Sequence, residues 1–174
     1  MDLIRIGEKV VSKKKIDKAV KEILELRHAG YSQIDVAQKL CIDRTLISRL
    51  ETLGEVRKGR RIAVIGFPIL NKKELEEVLA SLGIDFVLLM TEDERWQFVK
   101  EKSGLDLFNS IMNIVASLHG YDHVVVLGSN KRIKIVEAVM VNDVIGYEIG
   151  ESPIKEDRHV DVLEITELIK NIQP

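Results

Sequence analysis

The sequence holds one cysteine, few aromatic residues and no long apolar run, and each shortage excludes something. Cys41 has no second cysteine to pair with, so no internal disulfide framework exists and a reducing compartment fits. No apolar run approaches the roughly 20 residues needed to span a bilayer, and no charged-then-apolar leader opens the chain. Both absences point to a cytoplasmic location. Internal repeats and low-complexity tracts are missing too. Gly-x-Gly-x-x-Gly, a Walker phosphate loop and Gly-x-Ser-x-Gly are all absent. His28, His119, His123 and His159 show no metal-like spacing with one another or with Cys41. The expectation is a protein without metal, cofactor or catalytic residues, and not an enzyme.

What remains is an ordinary globular composition: 174 residues, 45% hydrophobic, 31% charged and 5% aromatic. That length suits one domain of about 100–150 residues plus a small one. The net charge of −2 conceals a split. Residues 1–61 carry 15 Lys/Arg against 9 Asp/Glu, or +6; residues 62–174 carry 11 against 19, or −8. A basic head on an acidic body suits a head that meets phosphate and a body that stays off it.

Within the head, residues 33–52 (QIDVAQKLCIDRTLISRLET) predict two short helices around a tight turn. Ser32 and Asp43 can each offer an oxygen to unpaired backbone N–H groups at a helix start. Val36, Ala37 and Leu40 face inward in the first helix; Ile42 in the turn and Ile47 and Leu50 in the second complete the set. A small residue at Ala37 lets the two helices cross closely. Arg44, Thr45, Ser48, Arg49 and Thr52 are left on the open face of the second helix. Polar and positively charged side chains there suit a major-groove reader.

On these residues the chain resembles the helix-turn-helix transcriptional regulators. The likeness covers residues 33–52 position by position and about 13–54 more loosely. It departs at Cys41, where the family usually has a turn glycine, and a non-glycine residue there costs energy if φ is positive. The three-helix variant of homeodomains and resolvase DNA-binding domains fits better than lambda- and Cro-type repressors, which add helices for which there is no room. An ordinary helical hairpin whose polar face meets only water stays open beside it.

A further helix over 13–28 starts at Ser12 and ends before Gly30, with Ile16, Val20, Ile23, Leu24 and Arg27 at helical spacing. Its Lys13, Lys14, Lys15, Lys18 and Lys21 read equally well as a solvated face or as sequence-independent phosphate contacts. Residues 1–11 read as a short strand or a flexible arm. Residues 55–61 (EVRKGRR) form a basic linker whose Arg57, Lys58 and Arg60 join the expected DNA contacts, as basic extensions do in three-helix DNA-binding proteins. The head therefore spans 1–58, with helices over 13–28, 33–40 and 44–53.

From residue 59 to 174 the pattern alternates strand and helix. Strands are predicted at 62–66, 86–90, 123–127 and 144–149, with a last short one at 160–163. Helices are predicted at 72–82, 92–102 with Thr91 as cap, 107–118 and 131–140, and Thr166 caps a final one to about 172. The β-branched content of 131–140 allows a strand there instead. Apolar runs too continuous to be half-exposed argue for a mostly parallel sheet covered on both faces. The fold class is α/β: a three-helix head plus a three-layer, Rossmann-like body. In such sheets ligands bind beyond the carboxyl ends of the strands. Those ends carry Gly66, Phe67, Thr91, Gly128, Ser129 and Asn130, where a small polar or anionic effector would be expected. Asp157, Arg158, His159 and Asp161 make a dense polar cluster that a solvated loop explains.

The combined reading is a sequence-specific regulator that binds double-stranded DNA as a homodimer through its head, with a body that dimerises and could also sense a small molecule. An α/β enzyme or small-molecule binding protein carrying an accessory helix-turn-helix is the alternative.

Overall fold

The computed structural model describes residues 2–55, 59 and 61–174. These fall into two compact units, Met1–Glu55 and Val56–Pro174.

The first unit opens with a two-stranded antiparallel hairpin, β1 (Leu3–Ile6) and β2 (Lys9–Ser12). Gly7 turns the chain between them at φ 61°, a left-handed conformation that glycine adopts without a Cβ clash. The alternation buries nothing: Leu3, Ile4, Ile6 and Val10 all stay exposed. Three helices follow, α1 (Lys13–His28), α2 (Gln33–Leu40) and α3 (Arg44–Leu53), with the bounds the sequence predicts. Each start is fixed by a side-chain cap, from Ser12, Ser32 and Asp43 respectively. Two ends share one device. At the end of α1, Gly30 N–H bonds Arg27 O and Tyr31 N–H bonds Leu26 O. At the end of α2, Cys41 N–H bonds Gln38 O and Ile42 N–H bonds Ala37 O. Both are the Schellman arrangement, which asks for a left-handed residue. Gly30 supplies it at φ 92°, whereas Cys41 is forced to φ 53°. Ile23, Val36 and Ile47 form the core, with Leu26, Ala37, Leu40, Ile42 and Leu50 packed around them.

In the second unit four strands form one parallel sheet in the order β4-β3-β5-β6. They are β3 (Ile62–Gly66), β4 (Phe86–Leu89), β5 (His123–Ser129) and β6 (Asp143–Gly150). The two strands with unbroken burial, β3 and β5, are the central ones, and the partly exposed β4 and β6 are the edges. Alternate side chains of the sheet feed two cores. Val64, Val125 and Leu127 meet Leu75 and Leu79 of α4 (Lys72–Ser81) and Ile165 and Ile169 of α8 (Val162–Ile172). Ala63, Val124 and Val126 meet Leu118 of α6 (Gly104–Leu118) and Ile133 of α7 (Asn130–Val139). A helix layer on each face makes three layers, and each fully buried Leu or Ile there is worth about 1.5–3 kcal/mol. Between β4 and α6 lies α5 (Glu92–Lys100), which buries no side chain. Close approach decides Gly146: a Cβ there would stand 2.4 Å from Ile133 Cγ2, so its absence lets α7 pack on β6.

The C-terminal expectation needs correction. No strand forms over 160–163; helix α8 starts at Val162, capped by the Asp161 carboxylate, which accepts from Leu163 and Glu164 N–H. Thr166 is inside the helix and donates to Val162 O. The helix expected from 107 begins at Gly104, because Ser103 caps it through Asp106 N–H. No helix among the described residues is long and apolar enough to cross a membrane.

Candidate nucleic-acid interface

Helix α3 buries Ile47 and half-buries Leu50, which puts Arg44, Thr45, Arg49 and Thr52 in the open, with Ser48 half-buried among them. The pattern RTLISRLETL permits this because its apolar positions recur at helical spacing while the intervening ones are polar or charged. Leu46 and Leu53 break the rule, being exposed. The Asp43 carboxylate accepts the Thr45 amide N–H at 2.6 Å. That bond holds its carboxyl below the ordinary carboxylate range, so it stays ionised at the positive end of the helix dipole. Thr52 Oγ1 donates to Ser48 O at 2.9 Å, which turns its hydroxyl back on the helix. Among the five expected contacts, then, Arg49 presents the freest side chain, while Thr45 bonds the Asp43 carboxylate through its side chain and Arg44 reaches Gln33.

Nothing in the sequence pattern marks what holds this helix at a fixed angle. Glu51, on α3, accepts from Arg27 Nε of α1 through one carboxylate oxygen and from Gln33 Nε2 of α2 through the other. Gln33 Oε1 in turn accepts from Arg44 Nε, at 3.5 Å. One half-buried carboxylate thus braces all three helices, and the Arg27 and Gln33 bonds lower its pKa. Arg27, Gln33 and Glu51 are positioning residues, separated by too many residues for any periodicity to show them. Arg57, Lys58 and Arg60 lie outside the described residues.

The lysines of α1 are exposed. On the same helix Asp17, Val20, Lys21, Leu24, Glu25 and His28 line one open face. It coincides with neither expected site.

At the carboxyl edge of the sheet the six expected ligand residues take different parts. The chain passes from β3 to β4 on one side and then to β5 on the other, so the crevice rule points between β3 and β5. Gly66 is small for a packing reason: a Cβ there would stand 2.8 Å from Leu127 Cβ. Gly128 has no such constraint, since its Cβ would make an ordinary 3.6 Å contact with Arg132 Cβ. Thr91 is occupied as the cap of α5, in a capping box with Glu94. Asn130 Oδ1 accepts from Lys131 and Ser152 N–H, tying α7 to the chain after β6. Ser129, the N-cap residue of α7, is fully buried, and its hydroxyl has no hydrogen-bond partner among the described residues.

The structure adds Arg132, which sequence reasoning missed. Its guanidinium stacks on the Phe67 ring at 4.6 Å and donates to Phe67 O at 3.1 Å. Burial, then the neighbouring charge of Arg95, lowers its pKa from the usual arginine value. The polar cluster after β6 is built in rather than merely solvated: Asp157 accepts Glu92 N–H at the start of α5, and Arg158 pairs backbone with Pro68 and Leu70. His123, at the start of β5, is buried, with neither ring nitrogen hydrogen-bonded among the described residues and Asp143 3.9 Å away. Among the described residues no group of three acidic, histidine or cysteine side chains could hold a metal ion. Comparison with known protein families, with curated proteins and with solved structures gives no match for this chain.

Proposed function

We propose that this protein is a sequence-specific transcriptional regulator, working in the cytoplasm, whose three-helix head binds double-stranded DNA as one half of a homodimer. The carrying observation is α3: an exposed face of Arg44, Thr45 and Arg49 on a helix that Glu51 braces against both its neighbours. A groove reader needs that combination, because an unanchored arginine contacts phosphate but cannot hold register on base edges. The excess of positive charge in residues 1–61 supports the same reading. One such helix makes too few contacts for operator-level affinity, and a two-fold pair of heads supplies two half-sites about one helical turn apart.

Selection of bound duplexes from a random pool tests the reading and yields half-site spacing. Arg49→Ala should weaken the selected site by about 1–3 kcal/mol and relax specificity at one base position. Parent affinity should fall steeply with salt. Arg44→Ala and Arg49→Ala variants that bind every duplex as the parent does would remove the assignment.

A second reading, a body that binds a small polar or anionic effector, is favoured by Ser129 and Arg132. A buried hydroxyl, unpartnered among the described residues, stands at the N-cap of α7, and a half-buried guanidinium follows in its first turn. Of helices α4 to α8, α7 is the one whose first turn carries no acid. An anion placed there would meet helix N–H groups as well. Should the parent bind no duplex at any salt concentration, a small-molecule binding protein or enzyme with an accessory head becomes the better account.

A further inference from the structure

Helix α6 is apolar over more of its circumference than the sheet covers. Its inward side, Ile114, Val115 and Leu118, packs on the second core. A second stripe at helical spacing stays in solvent: Leu105 is 70% exposed, Phe108 60%, Ile111 47% and Met112 48%. In fifteen residues, GLDLFNSIMNIVASL, the one charged side chain is Asp106. A solvent-facing helix normally carries charge on that side, and a contiguous apolar patch of a few hundred Å² is often functional.

The geometry points to a second copy of this chain as the occupant, with α6 packed antiparallel on its own symmetry mate. Three observations favour a copy over other partners. First, an isologous interface sets one patch against itself, so it must be free of repelling charge, and this stripe is uncharged. Second, the area suffices. The four exposed side chains offer on the order of 300 Å² of apolar surface, taking about 150–250 Å² for a whole aromatic and about 100 Å² for an aliphatic side chain. Apolar atoms make up roughly three-fifths of an interface, so two copies would bury about 1,000 Å², the threshold for a specific contact. Third, an interfacial membrane helix needs lysine or arginine on its polar side, and α6 has none. Antiparallel packing also sets each helix start near the end of its mate, which aligns opposite dipole ends. In this register Phe108 faces Met112 of the other copy, and Leu105 lies beside Ala116.

The choice of a copy as occupant rests in part on the DNA-binding reading, which calls for two half-sites. The register supplies a test that stands apart from DNA. Light scattering on the parent chain at tens of micromolar should give twice the chain mass. Phe108→Glu and Met112→Lys, each with unchanged far-ultraviolet circular dichroism, should give the single-chain mass. Mixed one to one, the two variants should return to the double mass, because the introduced carboxylate of one chain then faces the introduced ammonium of the other. If either variant misfolds, Leu105→Glu with Ala116→Lys makes the equivalent pair. A monomeric parent, single variants that remain dimers, or monomers that fail to combine would each overturn the proposal. Duplex binding separates the two readings: a parent that dimerises through α6 yet binds no DNA sinks only the regulator assignment. If instead the monomeric variants bind a single half-site as the parent's heads do, the DNA reading stands whatever the mixing result.

Discussion

The two units of this chain solve stability in opposite ways. Among the described residues the head has three buried residues in its core, while the body has thirteen on one face of its sheet and seven on the other. The body's order comes from mass of burial. The head's comes from local devices: capped helix starts, two Schellman ends and a single braced carboxylate. A unit of about 55 residues buries too small a fraction of its surface to tolerate losses, so each device counts for more there. The same substitution should therefore have different consequences in the two units.

The largest contrast should come from matched core truncations. Ile47→Ala and Leu75→Ala both remove a fully buried side chain, and each should cost about 2–5 kcal/mol. In the head that loss is comparable to the whole stability of so small a core; in the body it is a fraction. Hydrogen exchange of the full chain should show amides of α1 to α3 unprotected in Ile47→Ala while β3 and β5 stay protected. Leu75→Ala should leave both units folded. Head amides that remain protected in Ile47→Ala would mean the head draws stability from beyond its own core.

Acid should divide the units less sharply. Hydrogen bonds from Arg27 and Gln33 depress the folded pKa of Glu51 below its usual 4.5. The brace therefore contributes fully above the ordinary carboxylate range and is lost as pH falls through the depressed folded value. Glu51→Gln cannot ionise, so its head should be weaker than the parent's at neutral pH, with the difference shrinking below about pH 4. Thermal unfolding across pH 3–7 checks this, and a difference that holds constant would assign the loss to shape rather than charge. In the body the sign is reversed at the other end of the scale. Tyr147, whose hydroxyl donates to Glu164, has its pKa raised to about 12. Its contribution is complete below about pH 10 and disappears as pH rises through the folded value.

The smallest effect concerns Cys41. A non-glycine residue in the left-handed region costs roughly 1–2 kcal/mol, and glycine forfeits about 0.5–1 kcal/mol in chain entropy. Cys41→Gly should thus raise head stability by up to about 1 kcal/mol, read as slower exchange of α2 and α3 amides. A loss would show that the thiol, 3.8 Å from Gln38 O, contributes more than the backbone strain it imposes.

Elements with local chemical signals were legible in the sequence. Helices α1 to α3 could be bounded because a cap or a Schellman residue stands at each end but the last, which Gly54 closes. The central strands could be found because burial on both faces leaves an unbroken apolar run. The hairpin β1–β2 could not, since its alternating residues face solvent on both sides and so encode no inside. Thr166 misled because a threonine hydroxyl serves a helix in two ways, accepting a backbone N–H as a cap at its start or, as here, donating to the carbonyl one turn back inside it. The exposed residues of α3 were legible from periodicity, but the Arg27–Glu51–Gln33 brace depends on contacts among three helices. Arg132 was hidden for a related reason: its meaning comes from Phe67, which lies at the end of a different strand.

The position of β3 at the centre of the sheet has a consequence for how the chain is made. On a growing chain the head's three helices can close on one another as soon as residue 53 is clear, because all their contacts are near in sequence. Strand β3 is synthesised next, and β4 soon covers one of its edges. The other edge must wait for β5, since Ile62 pairs with His123 across three intervening helices and a strand. During that interval an apolar strand, IAVIG, offers an unpaired edge to any extended segment nearby. The final fold hides this aggregation-prone stretch at its centre, but synthesis exposes it early and completes its pairing late.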